Sequence, residues 1–191
     1  MIIAGTGHRP DKLGGYDPHT TRKVLTFAED VLRHYQPSTV ITGMAQGWDM
    51  ALAQASINLN IPFHAYVPFI GQEQVWPSAT RLYYKALLQH AQHVIVCSPG
   101  GYSKQAMQIR NQRMIDECEL LLALWNGSSG GTGNAIAYAT FTGKPYTNLW
   151  SQFLLGKFHE AQNSQASNTA QADAVDNGRS SLCPGSDWLR S

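Results

Sequence analysis

Short apolar runs alternate with segments of helical spacing along most of this chain, and this alternation limits the possible folds more than any other feature. The apolar runs occupy residues 2–5, 39–42, 62–67, 94–97 and 120–125. Runs of this length between turn-forming clusters are typical of fully buried strands. After the first run, Val24, Ala28 and Val31 fall on one helical stripe. The sequence therefore predicts strands and helices in alternation.

Such an alternation forms repeated β-α-β units, whose right-handed crossovers produce a parallel sheet. A further strand is expected at residues 146–150, where the chain is again apolar and aromatic. We therefore predict an α/β protein with a Rossmann-like three-layer fold. Its parallel sheet should have about six strands, with helices on both faces.

The composition changes near residue 150, and this change predicts two parts. Residues 1–150 should form the Rossmann-like domain, since 191 residues leave little room for a second one. Residues 151–191 are rich in Gln, Ser, Asn, Ala and Asp, so we predict a polar, disordered C-terminal tail. The terminal CPGSDWLR could alternatively dock on the domain or on a partner.

Charge and hydropathy narrow the classes of partner. The formal net charge is +1, which excludes a broad cationic surface for duplex DNA and makes nucleic acid a less favoured partner. No stretch approaches the roughly 20 apolar residues of a membrane span, and the N-terminus lacks a signal pattern. We expect a soluble, cytoplasmic protein with a small-molecule partner, and homo-oligomers are possible because related folds pair through surface helices.

The cysteines do not indicate a metal site or a disulfide framework. Cys97, Cys118 and Cys183 lie far apart, with no close-spaced pair. We expect reduced thiols, with Cys183 in the tail. Neither a metal nor a cofactor is predicted.

Three glycine-rich clusters follow predicted strands, where loops and helix N-termini present backbone N–H groups to anions. The clusters are GTGHRP at residues 5–10, TGMAQGWD at residues 42–49 and NGSSGGTGN at residues 126–134. Each could be an ordinary turn. The third lies between a buried strand and a helix, where a merely flexible loop is entropically costly. It is therefore the strongest candidate for phosphate binding.

Three side chains in these clusters suggest chemistry. Arg9 offers a planar cation for a phosphate. His8 could act as an acid, a base or a hydrogen-bonding group. Asp49 could contact ribose hydroxyls, or it could simply be the N-cap of the helix that starts near it.

Two further groups of candidates lie outside the clusters. Arg110 and Asp116 share one side of a predicted helix, where solvent-exposed ion pairs are the alternative to a binding role. Several aromatic side chains could stack on a base, although core packing or simple exposure is more common. These aromatic residues are Trp76, Tyr83, Tyr84 and Tyr102.

Taken together, GTGHRP, TGMAQGWD, RNQRMID at residues 110–116 and GGTGNAIAYA at residues 130–139 resemble the SLOG superfamily, in particular its YpsA-like branch. The resemblance spans residues 1–150. It implies a Rossmann-like fold and a pocket for nucleotides or nucleotide-derived ligands. The ligand-binding residues that it implies are Gly5, Thr6, Gly7, His8, Arg9, Gly43, Met44, Ala45, Gly47, Asp49, Arg110, Asn111, Gly130, Gly131, Thr132, Gly133 and Asn134.

One enzymatic branch of this superfamily, the LOG-type phosphoribohydrolases, cleaves the base from nucleoside monophosphates with a PGGxGTxxE motif and an arginine. When Gly131 and Thr132 are placed on the Gly-Thr of that motif, its glutamate position falls on Ala135. Ser129 stands where a glycine is expected. The usual catalytic carboxylate is therefore missing, and Asp49 or Asp116 would have to replace it.

Three functions are compatible with these residues. The first is binding of a nucleotide, such as a signalling nucleotide or an NAD fragment, without chemistry. The second is an N-glycosidase or phosphoribohydrolase that acts on a nucleotide. Its catalytic residues would be His8, Asp49, Arg110 and Asp116. The third is single-stranded DNA binding, as in the DNA-processing relatives of the superfamily. The balanced charge of this chain disfavours that function.

Overall fold

A computed structural model describes residues 1–156 and residue 158. Its strands are β1 (Ile2–Gly7), β2 (Thr39–Thr42), β3 (Phe63–Val67), β4 (His93–Val96), β5 (Leu120–Leu124) and β6 (Tyr146–Asn148). Its helices are α1 (Pro10–Leu13), α2 (Pro18–Tyr35), α3 (Trp48–Asn58), α4 (Ser78–His90), α5 (Lys104–Glu117), α6 (Gly131–Phe141) and α7 (Trp150–Leu155). Within this part, every helix falls short of the length and apolarity needed to cross a bilayer. The predictions for Cys183 and for the CPGSDWLR segment lie outside the described residues.

The six strands form one parallel sheet in the order β4-β3-β2-β1-β5-β6. The chain builds the sheet outward from β1 to β4, then crosses back to place β5 on the other side of β1. Ile3 consequently lies beside Val40 of β2 on one side and Leu120 of β5 on the other. The predicted α/β architecture is confirmed. The order in which the chain adds strands to the sheet reverses between β1 and β5.

Alternate residues of the central strands point into two separate cores, as a strand covered on both faces requires. Ile3 and Val40 pack in the core that contains residues of α2, α3, α4 and α7. Ala4 and Ile41, their immediate neighbours, pack in the core that contains residues of α5 and α6. The predicted three layers, with helices on both faces of the sheet, are therefore present.

The expectation that all the strands are fully buried is wrong for β4. Val94 and Val96 are 48% and 43% exposed, because β4 forms one edge of the sheet. At the other edge, Tyr146 of β6 is 43% exposed. Apolar composition alone does not reveal which strand will lie at an edge.

Parts of two glycine clusters that we placed after strands belong to regular elements. Gly5 and Gly7 lie within β1, since they pair with Leu122 and Leu124 of β5. The second half of the third cluster is likewise helical, because α6 begins at Gly131. Strand pairing and helix packing here override the low intrinsic propensity of glycine.

The ordered structure continues past the predicted boundary at residue 150. The last predicted strand ends at Asn148, and Trp150 begins α7 instead of ending a strand. Phe153 of this helix is only 2% exposed, and its ring packs edge-on against Phe27 of α2, with 5.4 Å between the centroids. Helix α7 thus contributes to the core. The prediction of a disordered tail otherwise falls on residues that the structure does not describe.

Candidate functional site

A cavity of about 500 Å³ opens at the carboxyl edge of the sheet, where the strand order reverses between β1 and β5. Its walls come from the segment after β1, the segment after β2, the first half of α5 and the loop between β5 and α6. Ligands of open α/β sheets bind at such reversal points. The volume lies within the range of small-molecule sites, roughly 300 to 1,000 Å³.

His8 connects the loops that follow β1 and β5. Its Nε2 lies 2.7 Å from Oδ1 of Asn126, and the backbone nitrogen of Asn126 lies 3.0 Å from the same ring nitrogen. The imidazole also packs edge-on against Trp150, with 5.7 Å between the ring centroids. Burial lowers the pKa of His8. The ring thus joins three segments of the chain around the cavity.

A buried ion pair between Asp49 and Arg110 lies in the wall of the cavity. Arg110 Nη1 is 3.7 Å from Asp49 Oδ2 and also donates a hydrogen bond to the carbonyl oxygen of Gly43. The backbone N–H of Ala45 donates to the same carboxylate oxygen at 3.3 Å. Both side chains are about 7% exposed. Asp49 and Arg110 are therefore held by each other and by the backbone of the segment after β2.

Burial changes the titration of both members of this pair. It raises the pKa of Asp49 to about 6, although the charge of Arg110 acts in the opposite direction. It also lowers the pKa of Arg110. The Nε of Arg110 is buried and has no hydrogen-bond partner within residues 1–156 and 158. An unsatisfied buried donor costs about 1 to 3 kcal/mol.

The N-terminus of α6 forms the part of the cavity wall that follows β5. Gly130 is its N-cap, with a φ of 140°, and no side chain of the described residues caps the first turn. A Cβ at Gly130 or Gly131 would meet no atom within 4 Å. The first-turn N–H groups therefore border open space, an arrangement that suits an anion.

The side chains around this helix N-terminus add positive charge and hold the loop in place. Lys12 Nζ donates to Ser128 Oγ at 2.6 Å, and Asn111 Nδ2 donates to the Gly131 carbonyl at 3.3 Å. Four cationic side chains and two carboxylates line the cavity, which leaves an excess of two positive charges. They are Arg9, Lys12, Lys104 and Arg110, with Asp11 and Asp49.

The structure brings together most of the residues that the sequence singled out. The predicted residues in the cavity wall are Thr6, Gly7, His8, Arg9, Ala45, Asp49, Arg110, Asn111, Gly130, Gly131, Thr132 and Asn134. Predicted residues that do not line it are Gly5, Gly43, Met44, Gly47, Gly133 and Asp116.

Three of the glycines outside the cavity have packing roles. A Cβ at Gly5 would collide with Leu52, and one at Gly43 would collide with the Arg110 guanidinium. At Gly47, whose φ is 94°, a Cβ would lie 2.5 Å from the carbonyl oxygen of His8. These glycines allow α3 and the Arg110 side chain to approach the sheet closely, which a ligand-contact interpretation does not capture.

The two carboxylates proposed for catalysis lie in different places. Asp116 is exposed, and its Oδ1 accepts a hydrogen bond from Tyr138 Oη at 2.9 Å, away from the cavity. Asp49 lines the cavity, but the N-cap interpretation of its role is wrong. Gly47 is the N-cap of α3, and Asp49 occupies the second helical position. The position of the LOG-type glutamate, Ala135, is buried in the core beside α5.

Sequence reasoning missed several residues of the cavity wall. Lys12 follows the first glycine cluster and lies in the short helix that begins at Pro10, so the preference of proline for the start of a helix could have indicated it. Ser128 and Ser129 stand inside the third cluster but were not predicted to bind. The other missed residues are Asp11, Lys104, Met107 and Gln108.

Of the aromatic residues considered for base stacking, Tyr102 alone lines the cavity. Tyr84 is buried and accepts a hydrogen bond from Gln72 Nε2, and the ring of Trp76 packs edge-on against Tyr84. Tyr83 donates to Gln54 Oε1 at 3.1 Å. Residues 1–156 and 158 contain no group of three His, Cys, Asp or Glu side chains placed to hold a metal ion.

The fold and the cavity define an α/β protein with an excess of positive charge in a cavity at the point where the strand order of its parallel sheet reverses. A model of the YspA SLOG family (YpsA) matches residues 3–148. The chain belongs to this family, and the resemblance inferred from its motifs is confirmed.

Two bacterial relatives show similarity over most of their own length. YoqJ, an uncharacterized SPbeta prophage-derived protein of Bacillus subtilis strain 168, is 29% identical over 150 residues. That match covers 69% of this chain and 87% of YoqJ. A UPF0398 protein of Bacillus cereus strain B4264 is 27% identical over 170 residues, covering 81% of this chain and 90% of the relative.

Among solved structures, DNA processing protein A from Helicobacter pylori is similar, with a TM-score of 0.57 and 13% sequence identity. The match covers 83% of this chain and 74% of the other. That structure was described for its single-stranded DNA binding mode. At this level of identity, the similarity supports the fold alone.

Proposed function

We propose that this protein binds a nucleotide or a nucleotide-derived ligand, with a phosphate group at the N-terminus of α6. One observation carries the proposal: the uncapped first turn of α6 and the buried guanidinium of Arg110 line the same cavity. Backbone N–H groups and an arginine together form a common phosphate site. The excess of cationic side chains around them favours an anion further.

The cavity also has features beyond those that inorganic phosphate needs. Its volume of about 500 Å³ exceeds the space of a single phosphate ion and leaves room for a sugar and a base. Asp49 lies in the wall with a carboxylate that can accept hydrogen bonds from ribose hydroxyls. A nucleotide therefore fits the chemistry of the wall better than a bare anion.

Substitution at Gly131 tests the position of the phosphate. A Cβ there meets no neighbouring atom, so Gly131→Ala and Gly131→Asp should both fold. The aspartate places a negative charge at the first helical position, which favours the helix but repels a phosphate. We expect Gly131→Asp to weaken nucleotide binding at least about fivefold, while Gly131→Ala has a smaller effect.

The measurement is calorimetric titration of the full chain with AMP, ADP, NAD and ADP-ribose. Saturable binding that Gly131→Asp weakens would support the proposal. Equal affinities of the two variants would place the phosphate elsewhere in the cavity. If none of these nucleotides binds, the proposed function is wrong.

A second candidate function, hydrolysis of the N-glycosidic bond of a nucleotide, is favoured by Asp49. This buried carboxyl group lines the cavity with a pKa of about 6, close to the range of a general base at neutral pH. In this reaction water would add to C1′ of the ribose while the base leaves with a proton. Asp49 would accept the proton of the water or stabilise positive charge on the sugar.

Proton NMR of AMP incubated with the protein over hours tests this candidate, since free adenine gives new signals. If the protein is a glycosidase, Asp49→Asn should stop the release of adenine. The matched control is Asp116→Asn, because Asp116 is exposed and lies outside the cavity. Release that both variants retain would exclude Asp49 as the catalytic base, and absence of release by the unmodified protein would leave binding alone.

A further inference from the structure

Tyr102 is an aromatic residue whose ring lies mostly outside the core. It is 72% exposed, yet it lines the cavity. The other aromatic ring in the described cavity wall, His8, is already engaged with Asn126 and Trp150. Tyr102 therefore offers the cavity a largely exposed aromatic ring.

The neighbours of Tyr102 hold it at this position. Phe69 packs edge-on against its ring, with 6.1 Å between the centroids. The next residue, Ser103, is the N-cap of α5, and its Oγ accepts a hydrogen bond from the N–H of Ala106 at 2.9 Å. The contact with Phe69 thus supports the ring, and the N-cap of α5 fixes the backbone next to it.

The order of the strands separates Tyr102 from the proposed phosphate site. Phe69, its neighbour, follows β3, whereas α6 follows β5, and strands β2 and β1 lie between them. Asp49 and Arg110, which contact the loop after β2, occupy the intermediate part of the wall. The wall thus presents an aromatic group, then Asp49 and Arg110, then the N-terminus of α6, which matches a base at Tyr102, a ribose at Asp49 and a phosphate between Arg110 and α6.

We infer that Tyr102 stacks on the base of the bound nucleotide, so that the site selects nucleotides over base-free sugar phosphates. Every base has an aromatic face, and stacking on tyrosine is tolerant of base identity. Tyr102 is therefore a specificity-determining residue for the presence of a base. This inference rests on the proposed function, because it takes the phosphate to lie at α6.

The test compares ligands that differ in the presence of the base. AMP is paired with ribose 5-phosphate, and ADP with pyrophosphate, in calorimetric titrations of the full chain. Tyr102→Ala should weaken AMP and ADP about 5- to 150-fold and leave the base-free ligands unchanged. Tyr102→Phe should bind all four ligands as the unmodified protein does, because stacking needs the ring and not the hydroxyl.

Tyr146→Ala is the matched control. Tyr146 is also partly exposed, but it begins β6 and lies at the opposite edge of the sheet, so its loss should change no affinity. The inference is overturned if Tyr102→Ala weakens ribose 5-phosphate as much as AMP, if it weakens neither, or if Tyr102→Phe matches Tyr102→Ala. Binding of base-free ligands in these cases would leave the proposed phosphate site standing. Failure of all four ligands to bind the unmodified protein would overturn both.

Discussion

The contact between Gly43 and Arg110 shows why a single glycine can be needed without touching a ligand. The guanidinium occupies the space where a Cβ would stand, and Asp49 Oδ2 would lie only 2.8 Å from that carbon. From sequence, Gly43 was one member of a phosphate-binding cluster. Its partner Arg110 is far along the chain, and no local pattern joins the two residues.

Replacing Gly43 with alanine should therefore destabilise the protein. The new methyl group would displace the guanidinium and leave Asp49 without its partner, at a cost of about 3 kcal/mol in the free energy of unfolding. Urea denaturation measures this change. Gly100→Ala is the control, because its Cβ would meet nothing within 4 Å, and it should change stability by less than about 0.5 kcal/mol. Equal stabilities of the two variants would contradict the close approach.

Asp49 should also make the stability depend on pH. Its folded pKa of about 6 lies above the ordinary value of 3.8. The stability that this group contributes is therefore fully present below about pH 4 and is lost as the pH rises through 6. A shift of this size corresponds to about 3 kcal/mol.

The Asp49→Asn variant isolates this effect, because asparagine does not titrate. The difference in the free energy of unfolding between the unmodified protein and Asp49→Asn should fall as the pH rises from about 4 to 7. Urea denaturation at several pH values measures it. A difference that stays constant or grows with pH would show that Arg110 outweighs burial in setting the pKa.

At the scale of elements, the alternation of apolar runs was sufficient to predict the order of strands and helices. Burial of apolar side chains produces the hydrophobic pattern of a strand as well as that of a helix. The boundaries depended on partners that the sequence does not reveal locally. Thr6 and Gly7 extend β1 past residue 5 because they pair with β5, and α6 begins at Gly131, inside the glycine-rich cluster that was expected to be a loop. Similarly, α7 follows a short edge strand where a longer strand was expected.

Helix α7 should matter for stability despite its short length. Phe153 is buried against Phe27, and Lys23 Nζ lies 4.5 Å from the centroid of its ring. We expect Phe153→Ala to lower the free energy of unfolding by about 3 to 5 kcal/mol. Its neighbour Leu154 is 61% exposed, so Leu154→Ala should change it by less than about 0.5 kcal/mol. Thermal or urea unfolding distinguishes the two, and similar small losses would argue against the packing of α7.

On the scale of the whole molecule, the charge is balanced while the cavity is positive. The net charge of +1 coexists with an excess of two cations in the cavity wall, so the positive charge is concentrated locally. The sequence could exclude a broad basic surface, but only the fold brings Arg9, Lys12, Lys104 and Arg110 to one place. The homo-oligomer expected from related folds stays a prediction that sedimentation velocity would check.

This distribution of charge predicts selectivity for small anions over long strands. A labelled single-stranded oligothymidylate should show no saturable binding at about 0.15 M salt, because few of its phosphates can meet a cation at once. Fluorescence anisotropy measures this binding. Tight association that falls steeply with added salt would instead favour the single-stranded DNA function.

The contacts of His8 link tryptophan side chains to the cavity wall, so that ligand binding should alter the intrinsic fluorescence. The imidazole touches Trp150 and holds the β5 loop through Asn126, and in that loop Trp125 Nε1 donates to the Ser128 carbonyl at 2.7 Å. Two indoles therefore lie beside the segment that borders the proposed anion site. Titration with AMP should change the intrinsic fluorescence, and Trp150→Phe should reduce the signal without changing the midpoint of the titration. The protein would then carry its own built-in sensor of occupancy, and no attached dye would be needed to follow ligand exchange in real time.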